Sequence, residues 1–159
     1  MGPGGNALDD RYAINAAKTK LREGYNNADV DQVLSVFAHG FTDMSAGLPS
    51  FFGFDAKTVL RAKLEKLFRD HNVDLAPIIV DIAVAGDLAI EYGWHLLTLR
   101  PKAGGPPEVK RTRYAEVWNR DSNLAWHIVF VMDNVDHKPE LVEDLLLKLS
   151  GEPAAFDKR

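Results

Sequence analysis

The apolar residues change period at Val73, and that change sets the fold class. Beyond it, DLAPIIVDIAVAG, LAIEYGWHLLTL, VKRTRYAEVWNR and AWHIVFVMDN alternate with period two, joined by AGD, PKAGGPPE and DSNL. Connections this short make successive strands antiparallel neighbours. Pro77 has no N–H to give to a ladder, so the first of these strands starts at an edge or a bulge.

Before Val73 the spacing is helical. Asp9 or Asp10 caps a helix running to about Gly24, with Ile14, Ala17, Leu21 and Tyr25 on one stripe. Asp29 opens a second helix, with Gln32 placed as in a capping box, Val33, Leu34, Val36 and Phe37 facing inward and Gly40 as its stop. The short extended piece FTDMS follows, and Asp55 opens a third helix whose Val59, Leu60, Leu64, Leu67 and Phe68 form an apolar face, with His71 and Asn72 at its end. Pro139 opens a last helix bearing Leu141, Val142, Leu145, Leu146 and Leu149, with Gly151 beyond it. Helices, then a meander, then a helix predict an α+β domain with helices covering one sheet face. The expected organisation is a flexible tail over 1–8, one domain over 9–137, and a C-terminal helix and tail over 138–159.

Composition narrows the function. At 159 residues, 46% hydrophobic and 26% charged, the chain suffices for one domain around one core. A net charge of -4 argues against nucleic acid as a partner, and the run Lys110, Arg111, Arg113 is too short to reverse that. No apolar run reaches membrane-spanning length and MGPGGNALDD lacks the pattern of a signal peptide, so no membrane partner and a cytoplasmic location are expected. The absence of cysteine removes disulfides, thiol nucleophiles and cysteine-type zinc sites. His39, His71, His95, His127 and His137 fall into no HxH or HExxH pattern, so neither a metal nor a cofactor is expected.

The candidate chemistry lies on the strands. Alternation separates Leu88, Ile90, Tyr92, Trp94 and Leu96 from Ala89, Glu91, Gly93, His95 and Leu97, and both sets are largely apolar. In TRYAEVWNR, Glu116 shares a face with Tyr114 and Trp118, and a carboxylate enclosed by aromatics has a raised pKa suited to acid/base work near neutral pH. The competing reading is an outer face with a solvated glutamate. Glu91 and His95 share a face but lie about 13 Å apart along the strand, at a rise of about 3.4 Å per residue, too far for a direct pair. Glu91 then reads as facing solvent or a partner subunit, and His95 as a strand histidine. DMSAG is no nucleophile elbow, because Asp43 stands where GxSxG needs its first glycine, and AGGPP opens no helix that could cradle phosphate.

The segments NNADVDQVLSVFA, FFGFDAKTVL, GDLAIEYGWHLLTL and RYAEVW, with the W-x-I-x5-N of the last strand, resemble the SnoaL-like and ketosteroid-isomerase-like branch of the nuclear transport factor 2-like superfamily over about Asp10 to Asp136. The resemblance implies a cone: a strongly curved antiparallel sheet wrapped on N-terminal helices around a mostly apolar pocket, here with a C-terminal helical extension. It implies that Tyr92, Trp94, Tyr114, Glu116 and Trp118 look into the cone, with Asp43 and Asp133 near its mouth. Glu116, Asp43 and Asp133 become the candidate catalytic residues, and Tyr92, Trp94, Tyr114, Trp118 and His95 the candidate substrate contacts. The steroid isomerases' own machinery is not kept: Ser45 stands in place of their general-base aspartate, Leu21 in place of their tyrosine and Tyr114 in place of their oxyanion-site aspartic acid.

The expected function is binding of a small apolar or carbonyl-bearing molecule, with isomerase, cyclase or lyase chemistry run by carboxylates. The alternative is a non-catalytic ligand-binding or dimerisation module. A homodimer through the outer sheet face is expected from Ala115, Val117, Val129 and Val131, unless the Leu141, Leu145 and Leu149 stripe covers that face from its own chain or a neighbour's.

Overall fold

The period-two segments form one ladder. In this computed structural model, which describes residues 7–137 and 140–151, β3 (His71–Ala85), β4 (Leu88–Pro101), β5 (Glu108–Arg120) and β6 (Trp126–Val135) pair successively as antiparallel neighbours. β1 (Phe37–Met44) adds to β6 in parallel, and the two-residue β2 (Phe51–Phe52) adds to β1, giving a six-stranded, curved and unclosed sheet in the order β2-β1-β6-β5-β4-β3. The parallel joint and β2 go beyond the purely antiparallel sheet expected. β3 lies at the sheet edge, where Pro77 costs no internal ladder bond.

Two bulges bend this ladder. Gly93 pairs with Ile79 while Tyr92 pairs with Asp81, so Val80 is an extra residue in β3; Trp118 pairs with Ile128 while Val117 pairs with Phe130, so Val129 is an extra residue in β6. An extra residue on one strand increases local twist and re-aims the side chains beyond it. At the first bulge the backbones come so close that a Cβ on Gly93 would lie 2.0 Å from the Ile78 carbonyl oxygen. Glycine is required there by space.

The concave side is filled by helices. α1 (Ala7–Asn26) lies against β3, α3 (Gly53–Asp70) against β1, and α2 (Val30–Ser35) between the two helices. Ile14, Leu21, Val33, Leu34, Leu60 and Leu64 meet Trp118 and Ile128 in one buried core. Each such large apolar side chain contributes about 1.5–3 kcal/mol when fully buried.

Several boundaries differ from the sequence expectation. α1 begins at Ala7, so Asp9 and Asp10 lie in its first turn rather than capping it, and Asp10 pairs with Arg120 at 3.0 Å. Gly24 is inside α1, where a Cβ would come within 2.8 Å of Val33: it permits close helix packing and does not end the helix. Asp29 does cap α2 by accepting from the Gln32 amide at 3.0 Å, but the helix stops at Ser35, because the Val36 carbonyl accepts from Ile128 and Phe37 enters β1. His71 and Asn72 start β3 rather than ending α3. Pro139 and most of the 1–8 tail lie outside the described residues, and α4 (Val142–Leu149) ends before Gly151. Among the described residues no helix is long and apolar enough to cross a membrane.

Gly93→Ala forces the Ile78 carbonyl out of the ladder, and urea denaturation is expected to give a loss of about 1–3 kcal/mol, the usual cost of overpacking. An unchanged midpoint would mean that the bulge yields freely.

Candidate active site

Register decides which residues meet. Glu91 and Glu116 are direct cross-strand partners in β4 and β5, so their side chains project from the same face. That face is the helix-covered one: Glu91 is 0% and Glu116 2% exposed. Lys18, on α1 between Ile14 and Leu21, reaches them from above, its Nζ 2.8 Å from Glu116 Oε1, 2.9 Å from Glu116 Oε2 and 3.2 Å from Glu91 Oε2. Glu91 also accepts from the Tyr114 hydroxyl, and from Trp118 Nε1 at 3.1 Å. Lys18 lies 4.2 Å from the Tyr114 ring centroid, a cation–π contact.

Two carboxylates thus face one ammonium out of contact with water. Burial pushes Glu116 up to about 7; Lys18 opposes that shift and the Glu91 charge adds to it. Glu91 instead accepts from two neutral donors, Tyr114 and Trp118, beside its ion pair with Lys18, and these contacts offset its removal from water. Burial, reinforced by Lys18, holds the His95 imidazole neutral, with a pKa lowered to about 2. Its ring stacks on Tyr114 at 3.9 Å, and Nε2, lacking a hydrogen-bond partner, stands 3.9 Å from Glu116 Oε1. Burial and the Glu91 charge push the Tyr114 hydroxyl far above the usual tyrosine range, keeping it a donor.

A second carboxylate pair lies beside the first. Asp43 of β1 is buried and accepts from the Ser45 hydroxyl, while partly buried Asp133 of β6 accepts from the Ala46 amide at 2.7 Å. Asp133 pairs with Tyr114 across the sheet. Burial raises its pKa, against the Ala46 hydrogen bond, with the Asp43 charge adding to the rise. Tyr25 of α1 feels Glu116, Asp133 and Asp43 together, and burial plus these charges raises its pKa.

Of the residues singled out in the sequence, Glu116, Asp43, Asp133, Tyr114, Trp118 and His95 share the inner side. Tyr92 and Trp94 do not. Tyr92 pairs with Ala115 and Trp94 with Arg113, which puts both on the outer face, Tyr92 45% exposed. There they line a depression of about 490 Å³, where Trp94 Nε1 donates to Asp136 at 2.5 Å. Glu91 moves the other way, from the solvent or partner contact expected to the centre of the buried cluster. Val131, expected on the outer face, is buried opposite Glu116, because the extra residue Val129 shifts the parity of β6. Lys18 is the member of the cluster that strand alternation does not point to, although it interrupts the Ile14 and Leu21 stripe at helical spacing.

The raised pKa of Glu116 gives stability a pH dependence. Between its unfolded value near 4.5 and its folded value of about 7, the native chain holds a proton that the unfolded chain releases. Stability therefore falls as pH rises through that window, by at most about 1.4 kcal/mol per unit, and this contribution is flat on either side. In urea denaturation at pH values across the window, Glu116→Gln should gain on the wild type as pH rises. A difference independent of pH would mean that Glu116 titrates alike in both states.

No family model matches the chain. Over 97 residues it is 28% identical to translation initiation factor IF-2 of Kosmotoga olearia, a match covering 57% of this chain and 14% of that protein, so the chain spans only a small part of the curated relative's length. Solved structures align far more completely. A nuclear transport factor 2-like superfamily protein from Salmonella enterica superposes with a TM-score of 0.70 at 16% identity, covering 87% of this chain and 99% of that one. A ketosteroid isomerase-like protein from Erwinia carotovora gives 0.67 at 19% identity, covering 80% and 96%. The chain has the cone-shaped α+β fold of the nuclear transport factor 2-like superfamily.

Proposed function

We propose that this chain is a proton-transfer enzyme of isomerase, cyclase or lyase type, acting on a small carbonyl-bearing molecule with Glu116 as the acid/base. The observation carrying this reading is the unequal surroundings of two facing carboxylates: Glu91 accepts from Tyr114 and Trp118 beside its ion pair with Lys18, whereas Glu116 has Lys18 alone and is pushed by burial up to about 7. A buried carboxylate raised toward neutral pH is matched to acid/base work at that pH.

The ionised Glu116 takes a proton from the carbon beside the carbonyl, and negative charge then develops on the carbonyl oxygen. Protonation of Glu116 removes the charge nearest the Lys18 ammonium, which becomes available to that developing oxyanion. The less buried residues, Asp133 and His95, mark the side of approach, with Asp43 behind Asp133 as a further carboxylate. Fold likeness alone adds nothing to this chemistry.

A second reading, a ligand-binding or dimerisation module without turnover, is favoured by the outer face. Ile90, Tyr92 and Met132 are 52%, 45% and 40% exposed there, apolar surface that a second copy would cover. A homodimer through this face is compatible with either reading, and light scattering should give twice the chain mass; a monomer at micromolar concentration contradicts it.

Hydrogen–deuterium exchange separates the two. With small ketones and keto acids in D2O followed by proton NMR, the wild type should accelerate loss of the signal beside the carbonyl, the rate rising with pH to a plateau above about 7. Glu116→Gln should lower it by about 10²–10⁴-fold. If ligands raise the melting temperature yet no exchange is accelerated, the binding reading replaces the enzymatic one.

A further inference from the structure

The helix α4 is formed, yet none of its residues is buried against the other described residues. An eight-residue helix is marginal in water by itself, and every residue from Glu140 to Gly151 is exposed, including Val142, Leu145, Leu146 and Leu149 on one stripe. The outer face of the sheet has the complementary lack: an apolar depression of about 490 Å³ floored by Val80, Tyr92, Ala115 and Met132.

Charge distinguishes the two surfaces. Glu143 and Asp144 stand in the first turn of α4, with Glu143 flanking the apolar stripe. The depression is bordered by Arg113, 65% exposed, which donates through Nε to Asn134 and reaches Asp136 only at 4.0 Å; Arg111, beside it, lies over Trp94 at 5.1 Å and uses Asp136 at 3.4 Å. Asp136, where the chain leaves β6, itself lines the depression, yet α4 leaves its own groove uncovered. An acidic, apolar helix and an apolar groove whose most exposed charge is Arg113 satisfy each other on one chain when two copies exchange helices about a twofold axis, which closes the assembly.

We propose that α4 of one copy seats in the outer-face depression of a second copy, which returns its own α4. This rests on the reading that two copies meet through that face, and it names a helix as the occupant of the groove. The acidic first turn lies toward Arg113, and the Leu145 and Leu149 side goes down onto Tyr92 and Met132.

The absence of native cysteine makes the test direct. Full-length Leu145→Cys and Met132→Cys proteins are prepared separately, mixed, allowed to exchange, and treated with a short thiol-to-thiol crosslinker; a protein carrying both changes is treated alone. The proposal predicts covalent pairs in the mixture and a covalent dimer as the main product of the double variant, with no pair when Leu124→Cys, in the distant β5–β6 turn, replaces Met132→Cys. A double variant that links internally and stays monomeric would overturn it in favour of docking on its own sheet. Absence of any link would overturn it too, and light scattering on the untreated proteins then separates the two failures: a dimer without links leaves the outer-face dimer standing, and a monomer removes both.

Discussion

The Lys18 ammonium, held between two carboxylates that water does not reach, constrains the rest of the molecule. Taking three ionisable groups out of solvent is costly, and the arrangement is tolerable only because each charge has partners within hydrogen-bond reach. Deleting one member of such a group typically costs about 3–5 kcal/mol, because the others are left buried and uncompensated. The cluster therefore fixes how α1 lies on the sheet: Lys18 reaches both glutamates only if β4 and β5 hold the register that sets Glu91 against Glu116. An apolar trio of similar volume would serve packing as well, so the retention of these charges is what draws attention to chemistry.

The sheet separates two kinds of surface. Its inner side brings carboxylates, a neutral imidazole and tyrosine hydroxyls together under the helices; its outer side presents apolar side chains bordered by arginines. The two bulges produce the separation, since each inserts a residue that shifts which side chains point inward. Gly93 sits at the crossing of both requirements, pairing with Ile79 at one bulge and with Tyr114, the donor to Glu91, on its other side.

Much of this is legible in the sequence. The period change, the turns and the strand limits of β4, β5 and β6 follow from alternation, and the surroundings of Glu116 can be read from its two aromatic neighbours on one strand. The facing of β4 cannot, because both of its parities are apolar and only the register with β5 decides between them; hence the expectation of Tyr92 and Trp94 inside and Glu91 outside. Val131 is misassigned by alternation because a bulge leaves no mark in a run of apolar residues such as IVFVM. Lys18 is within reach: a lysine at i+4 from Ile14 and three residues before Leu21 lies on the buried stripe of its helix, and such a lysine must have an anionic partner.

The central claim is that Glu116 titrates near neutral pH because burial opposes its charge more strongly than Lys18 supports it. The most direct measurement is the carbon-13 chemical shift of the Glu116 side-chain carboxyl, followed by NMR in the folded protein as pH is varied. A midpoint near 7 is expected, well above that of an ordinary glutamate near 4.5. A midpoint at or below the ordinary value would mean that Lys18 holds Glu116 as a permanent anion, leaving the cluster a structural ion group with no acid or base to offer.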